Sequence, residues 1–436
     1  MTGRRRSRTR RFASSTNARG SGPRAWRRET LGVCCAVRSS PFQFSRAIVI
    51  VLDGAGIGGL PDAAEYADEG SNTLGNVARE VPLAIPTLRA MGLGHVVELG
   101  GTRPPPLAAF GRMAEVSPGK DSVTGHWELT GVTLDRPFPV HPDGFPASAI
   151  AELERRIGRP TLGNLAASGT EIIQRLGVEH LESRAPIVYT SADSVCQIAA
   201  HESVASVDEL YRYCEIAFEV MAEGLGVGRI IARPFVGRPG SFRRTKERRD
   251  FARAAPGETL FDLATAHGVP VTTIGKIDDL FAGRGIGRAI HTVSDDDGMD
   301  TLERTMAEVS DGLLMANLVD FDTVYGHRND VSGYAANLER FDARLARLLP
   351  RVKPDDLIVV TADHGNDPTT PSTDHSREYV PVLLAGASVR AAVDLGTRGS
   401  FADLGQTLAE GLGLPPLGAG VSFLSDIVAG AAAVGR

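Results

Sequence analysis

The sequence predicts an α/β fold, a mostly parallel sheet with helices on both faces and an inserted α+β domain. Three observations predict it. Short apolar runs alternate with amphipathic stretches from Arg46 onward, several of those runs end in Asp or His, and the middle third changes character, with Pro-Gly punctuation and a basic cluster.

Each element follows from a local pattern. Ala47–Leu52 (AIVIVL) is apolar throughout and rich in β-branched residues, as a strand buried on both faces requires. Val269–Ile274, Leu313–Val319, Leu357–Thr361 and Val382–Leu384 repeat that pattern. Between them Tyr334, Leu338, Phe341, Leu345 and Leu349 recur at helical spacing behind Ser332, the expected N-cap. Phe401, Leu404, Leu408 and Leu412 do the same near the end. The middle third adds two strand candidates, Ile187–Thr190 and Arg229–Ala232, the turn His141-Pro142-Asp143-Gly144, and the basic cluster Arg243, Arg244, Lys246, Arg248 and Arg249. The expected partition is an Arg-rich extension (1–45), a split core (46–137 and 257–427) and an insertion (138–256).

A chain of 436 residues is long enough for more than one domain. With 42% hydrophobic and 23% charged residues it is neither fibrous nor wholly disordered, and no apolar run approaches the length of a membrane span. The net charge of −6 hides two unlike parts: residues 1–46 hold twelve arginines against the single acid Glu29, so +11 there is balanced by −17 in the rest. The extension is read as solvated and disordered; a transit or twin-arginine export signal and a nucleic-acid arm are the alternatives. No basic groove elsewhere would cooperate with such an arm, so no nucleic-acid partner is expected. Four cysteines, Cys34, Cys35, Cys196 and Cys214, form neither a disulfide framework nor a zinc knuckle, and point to a reducing cytoplasm.

The strand ends carry the chemistry. Ala47–Leu52 runs into Asp53, Leu313–Val319 into Asp320, Asp322 and His327, and Leu357–Thr361 into Asp363 and His364, with His375 on a following loop. Ligand sites of open α/β sheets lie beyond the carboxyl ends of the strands. Carboxylates gathered there without a cation would be too costly to bury, so a metal site is expected. Six such ligands suit two divalent ions, and carboxylate plus imidazole without thiolate points to Mn²⁺ or Zn²⁺. Paired ions of this kind serve phosphoryl transfer. The glycine-bounded, hydroxyl-bearing segment Gly119–Glu128 is the candidate for a nucleophile.

From Arg46 to about Leu424 the chain resembles the phosphopentomutases of the alkaline phosphatase superfamily. The resemblance rests on Gly56-Ile57-Gly58 with Pro61-Asp62-Ala63, on Lys120–Glu128, and on Ala167–Glu171, YTSADSV (189–195) and ARPFVG (232–237). DFDTVYGHRND (320–330) and TADHGNDPTTPSTDHSRE (361–378) complete it. It implies an alkaline-phosphatase-like core with an inserted cap. It implies one Mn²⁺ on Asp322, His327 and His375 and another on Asp53, Asp363 and His364, Zn²⁺ or another divalent ion being the alternative. The position of the family's nucleophile is Ser122, where family members carry Thr, and Thr124 is the second candidate. Ser191, Asp193, Arg229, Arg244 and Lys276 would hold the sugar and its distal phosphate. The implied reaction interconverts (deoxy)ribose 1-phosphate and 5-phosphate through a phosphoserine enzyme and a bisphosphate, with a sugar bisphosphate as activator, in a cytoplasmic monomer. Asp53-Gly54-Ala55 departs from the family, which has Ser after the Asp, and is similar to phosphoglycerate mutases. A phosphoglycerate mutase, a phosphomonoesterase and an Arg-tailed nucleic-acid-binding protein are the rival readings.

Overall fold

Strand Arg46–Leu52 (β1) is buried along its whole length, which only cover on both faces can achieve. It lies inside an eight-stranded sheet of a computed structural model that describes residues 44–191 and 194–428. In chain order the strands are β1, β2 (Ala109–Met113), β3 (Leu162–Ala166), β4 (Ile187–Thr190), β5 (Val195–His201), β6 (Arg229–Val236), β7 (Arg243–Arg244) and β8 (Arg249–Ala252). They continue with β9 (Val271–Ile274), β10 (Arg288–Ile290), β11 (Gly312–Leu318), β12 (Asp356–Thr361), β13 (Val380–Ala385) and β14 (Asp394–Arg398). The large sheet runs β10-β9-β11-β1-β12-β13-β2-β14; the smaller one runs β3-β4-β5-β6-β7, with β8 also on β6.

The large sheet is parallel from β10 to β12, and β13 runs antiparallel between β12 and β2. Val380–Ala385 was expected only as a short strand, and it is this reversed one. Strand β2 was not anticipated, because AFGRM offers neither alternation nor a continuous β-branched run. Strands β5, β3, β10 and β14 were also missed; β5 (VCQIAAH) is buried yet built largely from Cys, Gln and Ala.

The helix Val331–Leu348 buries Tyr334, Leu338, Phe341 and Leu345 on one face, as the spacing predicts. Its N-cap is Asp330, whose side chain accepts from the Gly333 amide, and not Ser332. A carboxylate two residues earlier reaches the free first-turn amides and so sets the start. Helix Ala402–Gly411 matches its pattern too. The smaller sheet carries its own apolar clusters, one on Cys196, Ile198, Leu210 and Ile230, the other on Ile173, Tyr189, Phe235 and Phe242. None of the described helices is long and apolar enough to cross a membrane.

Candidate active site

Register alone brings the predicted residues together. β11 and β12 flank β1 in parallel, with Leu52 opposite Leu318 and Val51 opposite Thr361, so Asp53, Asp322, Asp363 and His364 leave the sheet at one edge. Because β13 is antiparallel to β12, with Val382 opposite Thr361, the chain that enters β13 comes from that same edge and carries His375 there. Val380 in turn faces Met113, so β2 also ends at this edge and releases the loop that leads to Ser122. The helix Ser122–Leu129 starts there, capped by Asp121, which accepts from the amides of Val123 and Thr124. Gly125 lets this helix lie against the Asp363 backbone: a Cβ would sit 2.0 Å from the Asp363 carbonyl oxygen.

Ser122 is buried, and its Oγ accepts from Lys276 Nζ at 2.8 Å, with His364 Nε2 at 3.1 Å and Asp53 Oδ1 at 3.5 Å. Lys276 follows β9 and pairs with Asp53 Oδ2 at 2.5 Å. Thr124 is turned away, its hydroxyl donating to Asp121 Oδ2 at 2.6 Å. Ligand atoms of Asp53, Asp363 and His364 lie within 4.8 Å of one another, as do those of Asp322, His364 and His375, so His364 belongs to both groups. His327, expected beside Asp322, places Nε2 3.3 Å from Asp322 Oδ2, while its Nδ1 bonds the Thr373 carbonyl at 2.6 Å. Asp320 takes no part: it exchanges hydrogen bonds with Asp295.

Burial opposes ionisation at Asp322, yet the His375 and His327 imidazoles hold its carboxyl well below the usual range. Against the same burial, His364 and His126 keep Asp363 ionised, and Asp363 with Asp53 pushes His364 up. Lys276 stays charged in spite of its burial because Asp53, Asp322 and Asp363 surround it. The donor set fits two divalent cations: three buried carboxylates and three imidazoles without a thiolate.

Sequence reasoning missed the residues that orient this set. Asn366 donates to Asp322 Oδ1 at 2.7 Å, and His126 brings Nδ1 within 3.1 Å of Asp363 Oδ2. Both occur in quoted stretches, but a supporting role has no signature of its own in sequence.

The predicted sugar-binding residues are more scattered. Ser191 follows β4, and Asp193 lies outside the described residues. Arg229 opens β6 with Nη1 3.4 Å from Asp250 Oδ2. Arg244 borders Tyr189, where a Cβ on Gly169 would strike both side chains. Arg233, the arginine of ARPFVG, was passed over; it donates to Gln197 at 3.0 Å, and burial together with nearby Arg248 lowers its pKa to about 10. An arginine in the middle of β6, between apolar neighbours, was the available signal. A cleft of about 390 Å³ lined by Tyr66, Lys120, Asp121, Phe138, Ser194 and His375 opens between this region and the strand-end cluster.

Fold and site together define a metal-dependent enzyme, and residues 45–416 match the model of the metalloenzyme superfamily. Phosphopentomutase of Acetivibrio thermocellus is 52% identical over 386 residues, 88% of this chain and 100% of that one. That of Caldanaerobacter subterraneus subsp. tengcongensis is 50% identical over 384 residues, 88% and 98% of the two chains. A solved phosphoglycerate mutase of Leishmania mexicana aligns at 12% identity over 87% of this chain and 97% of that one, with a TM-score of 0.43. The chain belongs to the phosphopentomutase family of this superfamily, and it is an isomerase that works by phosphoryl transfer.

Proposed function

We propose that the chain interconverts ribose or deoxyribose 1-phosphate and 5-phosphate through phosphorylated Ser122 and a sugar 1,5-bisphosphate. The observation that supports this most is the Ser122 hydroxyl 2.8 Å from Lys276, inside a buried shell of Asp and His side chains. Asp53, Asp363 and His364 would hold one divalent ion, and Asp322, His327 and His375 the other, with Mn²⁺ the first choice and Zn²⁺ the second. Such ions neutralise charge that develops on the transferred phosphoryl group.

The chain's own residues account for the remaining needs. Lys276 donates to Ser122 Oγ and favours its alkoxide form. Arg233, Arg244 and Arg248, with Arg229 beside them, are suited to a phosphate carried by the sugar. Ser191 and Asp193 are assigned to the sugar itself. Phosphorylated Ser122 gives its phosphoryl group to the free hydroxyl of the bound monophosphate. The resulting bisphosphate returns its other phosphate to Ser122, and a trace of bisphosphate primes the cycle. A cap made by residues 138–256 and closed over the cleft at Tyr66 and Phe138 would keep water from competing. Buried, free Cys196 and Cys214 accord with a reducing cytoplasm, where we expect a monomer.

Phosphorus NMR of the Mn²⁺-supplemented chain tests this reading. Ribose 1-phosphate and ribose 5-phosphate should interconvert, with 3-phosphoglycerate untouched. Turnover of 3-phosphoglycerate alone, or release of inorganic phosphate as the main product, would replace this reading with one of its rivals.

A further inference from the structure

We propose that Arg377 is the positioning residue that sets Ser122 against the carboxylate and imidazole cluster, an inference that rests on Ser122 being the nucleophile. Arg377 stands two residues beyond His375 on the way into β13, and its side chain is 3% exposed. All of its guanidinium nitrogens have partners. Nε donates to both Asp62 carboxylate oxygens at 3.2 Å, and Nη2 to Asp62 Oδ2 and the Glu115 carbonyl at 3.0 Å each. Nη1 donates to Glu115 Oε2 at 2.8 Å and to the carbonyls of Ser117 and Gly119 at 2.7 Å each. The Arg377 amide reaches Asp68 Oδ2 at 2.9 Å, and the Asp68 carboxylate also accepts from Lys120 Nζ at 3.1 Å. Lys120 lies 3.6 Å from Asp374.

One side chain therefore ties three loops together: the one that leaves Asp53, the one that leads to Ser122, and the one that carries His375. Beyond Ala114, whose amide donates to the Arg398 carbonyl at 3.0 Å, the loop before Ser122 has no strand partner. Its amides at Val116 and Ser117 are held by Glu128, and its carbonyls at Ser117 and Gly119 by Arg377. A planar fork fixes direction as well as distance, which an ammonium cannot reproduce. None of these bonds goes to a predicted metal ligand or to Lys276. The guanidinium thus acts on the place of the Ser122 hydroxyl, and a nucleophile displaced by about 1 Å loses about 100-fold in rate.

The test compares Arg377→Ala and Arg377→Lys with the unaltered full chain, each loaded with Mn²⁺ and checked by circular dichroism and metal analysis. Pentose-phosphate turnover is measured, and so is single-turnover labelling of Ser122 by 4-nitrophenyl phosphate. Both variants should keep their Mn²⁺ and lose about 100-fold in kcat, with KM changed by less than about 3-fold. Added guanidinium should restore part of the rate to Arg377→Ala, where the same concentration of sodium chloride does not. A folded Arg377→Ala chain with kcat within about 3-fold of the unaltered one would overturn the proposal, as would Mn²⁺ loss in proportion to activity without guanidinium rescue. Should Arg377→Ala not fold, Arg377→Lys decides: an unchanged kcat overturns the proposal and a selective loss of kcat supports it. An unaltered chain that labels at Ser122 but does not turn over pentose phosphates would sink the substrate reading and leave Arg377 testable by labelling.

Discussion

The hydroxyl of Ser122 meets an ammonium, an imidazole and a carboxylate within 3.5 Å, and each comes from the end of a different strand. Removing the ammonium takes away charge that is most valuable once oxygen is negative. Lys276→Met should therefore lower kcat by about 100-fold or more with a smaller change in KM, read from steady-state kinetics at saturating Mn²⁺. A raised KM with kcat unchanged would mean that Lys276 serves substrate binding alone. At this scale the sequence was legible wherever a reactive residue directly follows an apolar strand, as Asp53, Asp363 and Lys276 do. It was illegible for His126, Asn366 and Arg377, whose partners are 237, 44 and 262 residues away for Asp363, Asp322 and Glu115, since only the fold brings those together.

Among elements, the reversed strand β13 and the unforeseen β2 matter most, because together they return His375 and Ser122 to the edge where β1, β11 and β12 end. The parallel strands β1, β11 and β12 announce themselves by long apolar runs; β2 contains Gly111 and β14 is polar, so neither carries that signal. The contact of the Ser122 helix with the β12 loop leaves no space at Gly125. Gly125→Ala should cost about 3 kcal/mol in chemical denaturation and reduce activity as the helix start shifts. A cost below about 0.5 kcal/mol would show that the helix and the loop move apart freely. The N-cap moved from Ser332 to Asp330 for a local reason, the reach of the carboxylate to Gly333, which spacing alone does not reveal.

For the whole molecule, the two sheets meet where the short helix Ile277–Leu280 packs near β8, and there Asp279 faces Asp278 and Asp250, with His291 and Arg248 as opposing charges. Burial and then those carboxylates raise the Asp279 pKa to about 6. A raised carboxyl binds its proton more tightly in the folded state, so its stabilising share is full below the unfolded pKa and is lost as pH rises towards 6. Asp279→Asn should then stabilise the chain by about 1–2 kcal/mol at pH 8 and by much less near pH 4, as measured by urea unfolding at both values. A pH-independent difference would refute that origin. Chelation should lower Tm and Mn²⁺ should restore it; an ion at 100 times its Kd adds about 2.7 kcal/mol of stability. No change in Tm would argue against ions in the buried cluster. The division of charge, +11 in residues 1–46 and −17 beyond, was legible from composition, whereas the signs of the local fields were not. They depend on Arg233, Arg244 and Arg248 gathering around Tyr189.

The central claim is that Ser122 carries the phosphoryl group between two positions of a pentose. Its most direct measurement is peptide mass analysis of the Mn²⁺-loaded chain, quenched during turnover of ribose 1-phosphate, alongside Ser122→Ala. The account predicts one phosphoryl group on the peptide that holds Ser122, and neither label nor ribose 5-phosphate from the variant. Undiminished interconversion by Ser122→Ala, or a label confined to Thr124, would contradict it.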